Sequence, residues 1–145
     1  MKVVLDTNVL GSALAEGDPS RELALRLLNA LDEGGHEVYL PTVVVAELGV
    51  AFFQAGATAD WSAFLAVLRQ GRRYRTVDLD LDGADAAARL RARSRLKLPD
   101  AIVAAAAASV QADILVSDDP DLTRRAGGPV PVRTIRGALA AIRAA

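Results

Sequence analysis

Asp113-Ile114-Leu115-Val116-Ser117-Asp118-Asp119-Pro120-Asp121 is the stretch that decides the fold. Ile114 to Val116 form an apolar run with no polar alternation. A strand with one face in water alternates, whereas a strand buried on both faces does not. The run therefore reads as a short central strand that ends at an acidic segment. Val3-Val4-Leu5-Asp6 repeats the arrangement near the N-terminus. Val38-Tyr39-Leu40, closed by Pro41, and Arg75-Thr76-Val77 read as two more strands, and residues 131–135 as a short edge strand.

Helical periodicity fills the intervals. Residues 20–33 place Leu23, Leu27, Leu28 and Leu31 on one face, with Ser20 as a cap and Gly34-Gly35 as the stop. Thr42 is predicted to cap a helix over 43–55 that Gly56 closes, and Thr58 or Asp60 to start another through Leu68. Residues 82–93 return to helix. Pro99 suits the first turn of a helix running to about Val110. Thr134 is placed to cap a last helix through Ile142. Strands alternating with helices predict an α/β fold, with a mostly parallel sheet of four to five strands covered by helices on both faces. At 145 residues the chain is expected to be one domain, 1–145.

Composition narrows the chemistry. With no cysteine, disulfides and thiolate metal sites are excluded. The lone His36, after a Gly-Gly turn, excludes a site of several histidines and reads as a surface residue. A net charge of −1 excludes a uniformly basic nucleic-acid-binding chain, though not a local basic patch. No apolar run reaches membrane-span length, and the first residues are too briefly apolar for a signal peptide. A cytoplasmic protein without membrane association is expected.

The acids are the informative residues. Asp6 is the only charged residue between Val3 and Ala15, Glu47 between Pro41 and Ala59, and Asp100 between Leu98 and Ala112. Burying an unpaired carboxylate costs several kcal/mol even after relaxation. Singly, each has an ordinary explanation. Asp6 can cap the turn after it, Glu47 can pair with an arginine, and Asp100 suits the positive end of its helix. Asp118 to Asp121 can form a turn. Jointly, three isolated acids in apolar segments predict convergence on a common cation. In open α/β sheets ligands bind beyond the carboxyl ends of the strands, where strand order reverses. If the first and fourth long runs are neighbours, Asp6 and the 118–121 segment meet there. Carboxylates without Cys or clustered His suit a hard cation, Mg²⁺ or Mn²⁺. One or two such ions assist phosphodiester cleavage.

Val4-Leu5-Asp6-Thr7-Asn8-Val9, the isolated Glu47, Leu98-Pro99-Asp100-Ala101-Ile102 and Asp113 to Leu122 together resemble a PIN domain. Their order and spacing are similar to those of VapC-like toxins of toxin–antitoxin pairs, over nearly the whole chain. The resemblance implies a three-layer PIN-like fold and a metal-dependent endoribonuclease that cuts RNA phosphodiester bonds. It implies Asp6, Glu47, Asp100 and Asp119 as catalytic acids, with the metal held by Asp6, Asp100, Asp119 and Asp121. Asp118 is the competitor for the fourth acid, and Leu122 replaces the aromatic residue usual in the family. Thr7, Asn8, Ser117 and Asp118 are expected to surround the carboxylates, Thr7, Asn8 and Ser117 by hydrogen bonding. The resemblance further implies a homodimer and a small cognate antitoxin.

Residues 69–97 hold nine basic residues against four acids, a local excess in a chain of slight negative charge. Arginine binds phosphate through its planar fork. Arg89, Arg91, Arg93, Arg95 and Lys97, just before Asp100, are therefore expected to guide RNA. Arg89, Arg93 and Lys97 share a face if the helix extends that far. Phe52, Phe53, Trp61 and Phe64 fit core packing, with a protein interface as the alternative. The competing function is a catalytically inactive PIN-like module that binds RNA or regulates. Four retained acids disfavour it. Neither G-x-x-x-x-G-K nor G-x-G-x-x-G occurs, which disfavours nucleotide-dependent enzymes.

Overall fold

In a computed structural model, which describes residues 1–125 and 127–145, three apolar runs form the middle of one sheet. They are β1 (Lys2–Leu5), β2 (Glu37–Pro41) and β4 (Ile114–Val116). β3 (Arg75–Val77) and β5 (Val132–Arg133) are the edges. The strand order is β3-β2-β1-β4-β5, and all four pairings are parallel. The sheet is thus wholly parallel, where sequence predicted mostly parallel. Val3, Val4, Leu5 and Val116 are completely buried, as a central strand covered on both faces requires. The outer strand β3 exposes Arg75 and Thr76.

Eight helices among the described residues complete an α/β, three-layer fold. They are α1 (Thr7–Leu14), α2 (Arg21–Glu33), α3 (Thr42–Gln54), α4 (Thr58–Gln70), α5 (Leu81–Arg93), α6 (Leu98–Ser109), α7 (Pro120–Arg125) and α8 (Ile135–Ala144). α2 packs on α1 and α8, while α6 packs on α3 and α5. Among the described residues no helix is long and apolar enough to cross a membrane.

Local chemistry explains most boundaries. Thr134 caps α8 by accepting from the Gly137 amide at 3.1 Å. Asp80 does the same for α5 through Gly83 at 2.7 Å. Gly35, at φ 62°, takes the left-handed turn after α2 that a side chain would resist. Ser20 occupies the cap position of α2 but makes no capping bond; its own amide donates to Asp18. Thr42 departs from its predicted role. It is the first residue of α3, after Pro41, and its hydroxyl donates to the Val77 carbonyl at 3.4 Å. α1 and α7 are short helices where sequence suggested only turns, because eight and six residues carry too little periodicity to read.

The aromatic group divides between core and surface. Trp61 is buried and its ring lies 5.5 Å from Phe52 and 5.9 Å from Phe64, whereas Phe53 is 58% exposed. A Cβ added at Gly49 would stand 2.8 Å from the Trp61 ring, so α3 and α4 approach closely only with glycine there. Gly49→Ala is expected to cost roughly 1–3 kcal/mol through overpacking. Urea unfolding of the purified variant measures this.

Candidate metal centre at the carboxyl edge of the sheet

β1 and β4 are neighbours, paired from Val3 opposite Ile114 to Leu5 opposite Val116. Strand order reverses between them, so Asp6 and Ser117 emerge side by side at the carboxyl edge. The Asp6 amide extends the ladder by donating to the Val116 carbonyl at 3.0 Å. α3 follows β2 to the same edge and carries Glu47. α6 brings Asp100 in its first turn.

Asp6 is 5% exposed and fully engaged. Its Oδ1 accepts from the Thr7 amide at 2.8 Å, and this bond also caps α1. Its Oδ2 accepts from the Ser117 hydroxyl at 2.7 Å and the Asn8 amide group at 3.1 Å. Capping and clustering are therefore not alternatives for Asp6. The Thr7 hydroxyl donates to Glu47 at 2.9 Å, joining α1 to α3. Ser117 Oγ accepts from the Asp119 amide at 3.0 Å and from Asn8 at 3.0 Å. One buried hydroxyl thus binds Asp6, Asn8 and the Asp119 backbone together.

Electrostatics sets four acids apart. Burial raises the Asp6 pKa, against the stabilising bonds from Ser117 and Thr7, and the charges of Glu47 and Asp119 add to the rise. Asp100 is pushed up to about 6, first by burial and then by Asp6, Asp119 and Glu47; Lys97 opposes the shift. Asp6, Glu47, Asp100 and Asp119 therefore share one field of mutual repulsion. The Asp118 and Asp121 carboxylates meet other partners. The Asp118 carboxylate accepts from the Ile135 amide at 2.8 Å, and its own amide donates to Asn8 at 3.0 Å. Asp121 lies 3.8 Å from Arg125, and its amide donates to Asp119 at 2.9 Å.

Sequence expected all three isolated acids to be buried. Only Asp6 is; Asp100 is half-buried and Glu47 exposed. Apolar residues flank Glu47 in sequence, but on α3 it stands at the margin of the face formed by the buried Val44 and Leu48, where its carboxylate reaches the Thr7 hydroxyl. Among the described residues no three acidic or imidazole side chains stand in ligand positions around one point. Asp6, Glu47 and Asp119 each accept from a local donor instead. The donor set nevertheless fits a hard cation: it is entirely oxygen, and the Asp100 carboxyl sits among three other negative charges.

A family model described as PIN domain matches residues 3–128. The chain belongs to the PIN domain family. Solved structures resemble it in shape. FitAcB from Neisseria gonorrhoeae is 21% identical, covers 92% of this chain and 98% of its own, and superposes with a TM-score of 0.71. VapC20 from Mycobacterium tuberculosis, a sarcin-ricin loop cleaving toxin, is 18% identical over 84% of this chain and 93% of its own, with a TM-score of 0.71. VapBC-5 from Mycobacterium tuberculosis, of the VapBC family of toxin–antitoxin systems, is 28% identical over 92% of this chain and 96% of its own, at 0.56. No curated protein matches in sequence.

The basic residues of this PIN domain differ in their partners. Arg89 pairs with Asp85 at 2.9 Å on the surface of α5. Arg91 donates to the Ser94 carbonyl at 3.4 Å. α5 ends at Arg93, so Lys97 does not continue its face; Lys97 instead stands at the start of α6. Sequence reasoning missed Arg125, which α7 carries to the Arg93–Arg95 segment, because nothing local links positions 95 and 125. His36 lies at the surface as expected, partly exposed, with its ring beside Gly34 and its Nδ1 3.1 Å from the Met1 amino group.

Proposed function

We propose that this PIN domain is a metal-dependent endoribonuclease and the toxin of a toxin–antitoxin pair. The observation that carries the reading is the shared field of Asp6, Glu47, Asp100 and Asp119 at the edge where β1 and β4 diverge. Asp6, Asp100 and Asp119 hold the ion, with Asp121 adjacent through the hydrogen bond that its backbone amide donates to the Asp119 carboxylate. When bound, Mg²⁺ or Mn²⁺ supplies charge neutralisation at the phosphate and an acidified water. Ser117 and Asn8 fix the Asp6 carboxylate, and Thr7 orients Glu47 beside it. Arg93, Arg95 and Lys97 lead toward Asp100 and hold RNA phosphates, with Arg89 and Arg91 along the same helix.

Toxin–antitoxin assemblies recur among the similar structures, including a toxin–antitoxin complex from Klebsiella pneumoniae, and support a small antitoxin as partner. The exposed Val50 and Phe53 on α3 support a homodimer. A single monomer mass by light scattering at micromolar concentration contradicts it.

Ser117→Ala removes the hydroxyl that orders Asp6 and Asp119 while leaving every carboxylate. Loss of such an orienting partner costs typically 10–100-fold in metal affinity or activity. Steady-state cleavage over a Mg²⁺ series measures both. The test of the function itself is incubation of the pure protein with a mixed RNA pool, in Mg²⁺, Mn²⁺ or chelator. Discrete cleavage in either metal and none in chelator is expected. RNA bound but uncut in both metals makes the chain an inactive RNA-binding module and overturns the nuclease reading.

A further inference from the structure

Ala92, Arg93, Ser94, Arg95 and Arg125 line an open hollow of about 630 Å³ between the α5–α6 link and the last turn of α7. Three of its five lining residues are arginines and none is acidic. We infer that this hollow binds the backbone phosphates of the RNA that the acidic centre cuts, with Arg125 completing it from the far side. The inference rests on the nuclease reading.

Three observations support it. First, the link that carries Arg93 and Arg95 is fixed. The Ser94 hydroxyl donates to the Leu90 carbonyl at 2.7 Å and accepts from the Leu96 amide at 3.3 Å, and Leu96 is completely buried. Arginines on a fixed turn lose less freedom on binding than arginines on a loose one. Second, Arg125 is available. Its contact with Asp121 is long, at 3.8 Å, and both side chains are about half exposed. Such a pair contributes little and exchanges readily for a phosphate, which the guanidinium fork meets with two hydrogen bonds. Third, both walls of the hollow are tied by short chain segments to residues of the centre. Arg95 precedes Asp100 by five residues, at most about 18 Å of extended chain. Arg125 lies one helical turn beyond Asp121, which itself follows Asp119. A polyanion repelled by the four acids has its cationic support here, on the rim.

The test measures binding of a fluorescent mixed-sequence RNA 12-mer by anisotropy in chelator, where the strand stays intact, across a salt series. Arg95→Gln, Arg125→Gln and the double variant are compared with wild type. Arg21→Gln on the exposed start of α2 is the control for net charge. Each hollow variant is expected to weaken binding and to flatten the slope of log K against log salt by about 0.7 for each phosphate that is no longer neutralised. Arg21→Gln is expected to keep the wild-type slope. Cleavage by wild type in Mg²⁺ or Mn²⁺, read separately, keeps the two readings distinct. If wild type cuts RNA while all three hollow variants keep its slope, the hollow is overturned and the nuclease stands. If wild type binds but does not cut, while the variants lose slope, the hollow stands and the nuclease fails. Neither binding nor cutting overturns both. Displacement of the RNA by oligoglutamate of equal charge, at equal concentration, assigns the hollow to acidic peptides and overturns the RNA reading.

Discussion

Asp6→Asn is expected to abolish RNA cleavage while the fold persists. The substitution keeps the shape of the side chain but removes its charge. A metal ion contributes several kcal/mol of transition-state stabilisation, so its loss lowers the rate by roughly 10²–10³-fold or more. The carboxylate is also the hub to which Thr7, Asn8 and Ser117 donate. An amide oxygen retains the Thr7 bond, while its NH₂ group faces two donors, the Ser117 hydroxyl and the Asn8 amide group; once Asn8 turns away, Ser117 has a lone pair free to accept. Folding is therefore expected to survive, and circular dichroism alongside the cleavage assay separates the two effects. Because buried Asp6 lies close to Glu47 and Asp119, the variant is expected to melt no lower than the wild type when metal is absent.

Metal and pH are expected to act on stability in opposite directions. Asp100 titrates at about 6 in the folded chain, against an ordinary value of 3.8. Between those values the folded state holds more protons than the unfolded one, so metal-free stability rises as the pH falls. The contribution is complete below 3.8 and is lost as the pH rises through about 6. Asp6 shifts in the same direction. Divalent cations compete with those protons. At pH 7.5, Mg²⁺ or Mn²⁺ at one hundred times its dissociation constant is expected to stabilise the fold by about 2.7 kcal/mol. At pH 5 the same concentration has a much smaller effect, since protonated carboxyls hold no ion. Thermal melts with and without metal at the two pH values measure both. A metal-induced shift independent of pH would count against the four acids as its source.

The strands were legible because burial on both faces leaves nothing but Val, Ile and Leu in Val3 to Leu5 and Ile114 to Val116. Caps at Thr134 and glycine stops at Gly35 and Gly56 were legible for the same reason: each solves a local problem. α7 was not, since six residues following Pro120 read equally as a turn. The acids were found by isolation in apolar sequence, which is a signal of position and not of depth. It located Asp6 and Asp100 in one field but overstated the burial of Glu47. Choosing among Asp118, Asp119 and Asp121 required tertiary structure. Only the distant Ile135 amide reveals that the Asp118 carboxylate is engaged elsewhere. Arg125 needed the same kind of information, because its neighbours Arg93 and Arg95 precede α6 in sequence whereas it follows β4.

The most direct measurement is anomalous scattering from crystals grown with Mn²⁺ at pH 7.5. The account predicts a peak bounded by Asp6, Asp100 and Asp119 beside β1 and β4, absent from Asp6→Asn crystals grown in the same way. Saturating Mn²⁺ with no peak there, or a peak only at other carboxylates, would contradict it.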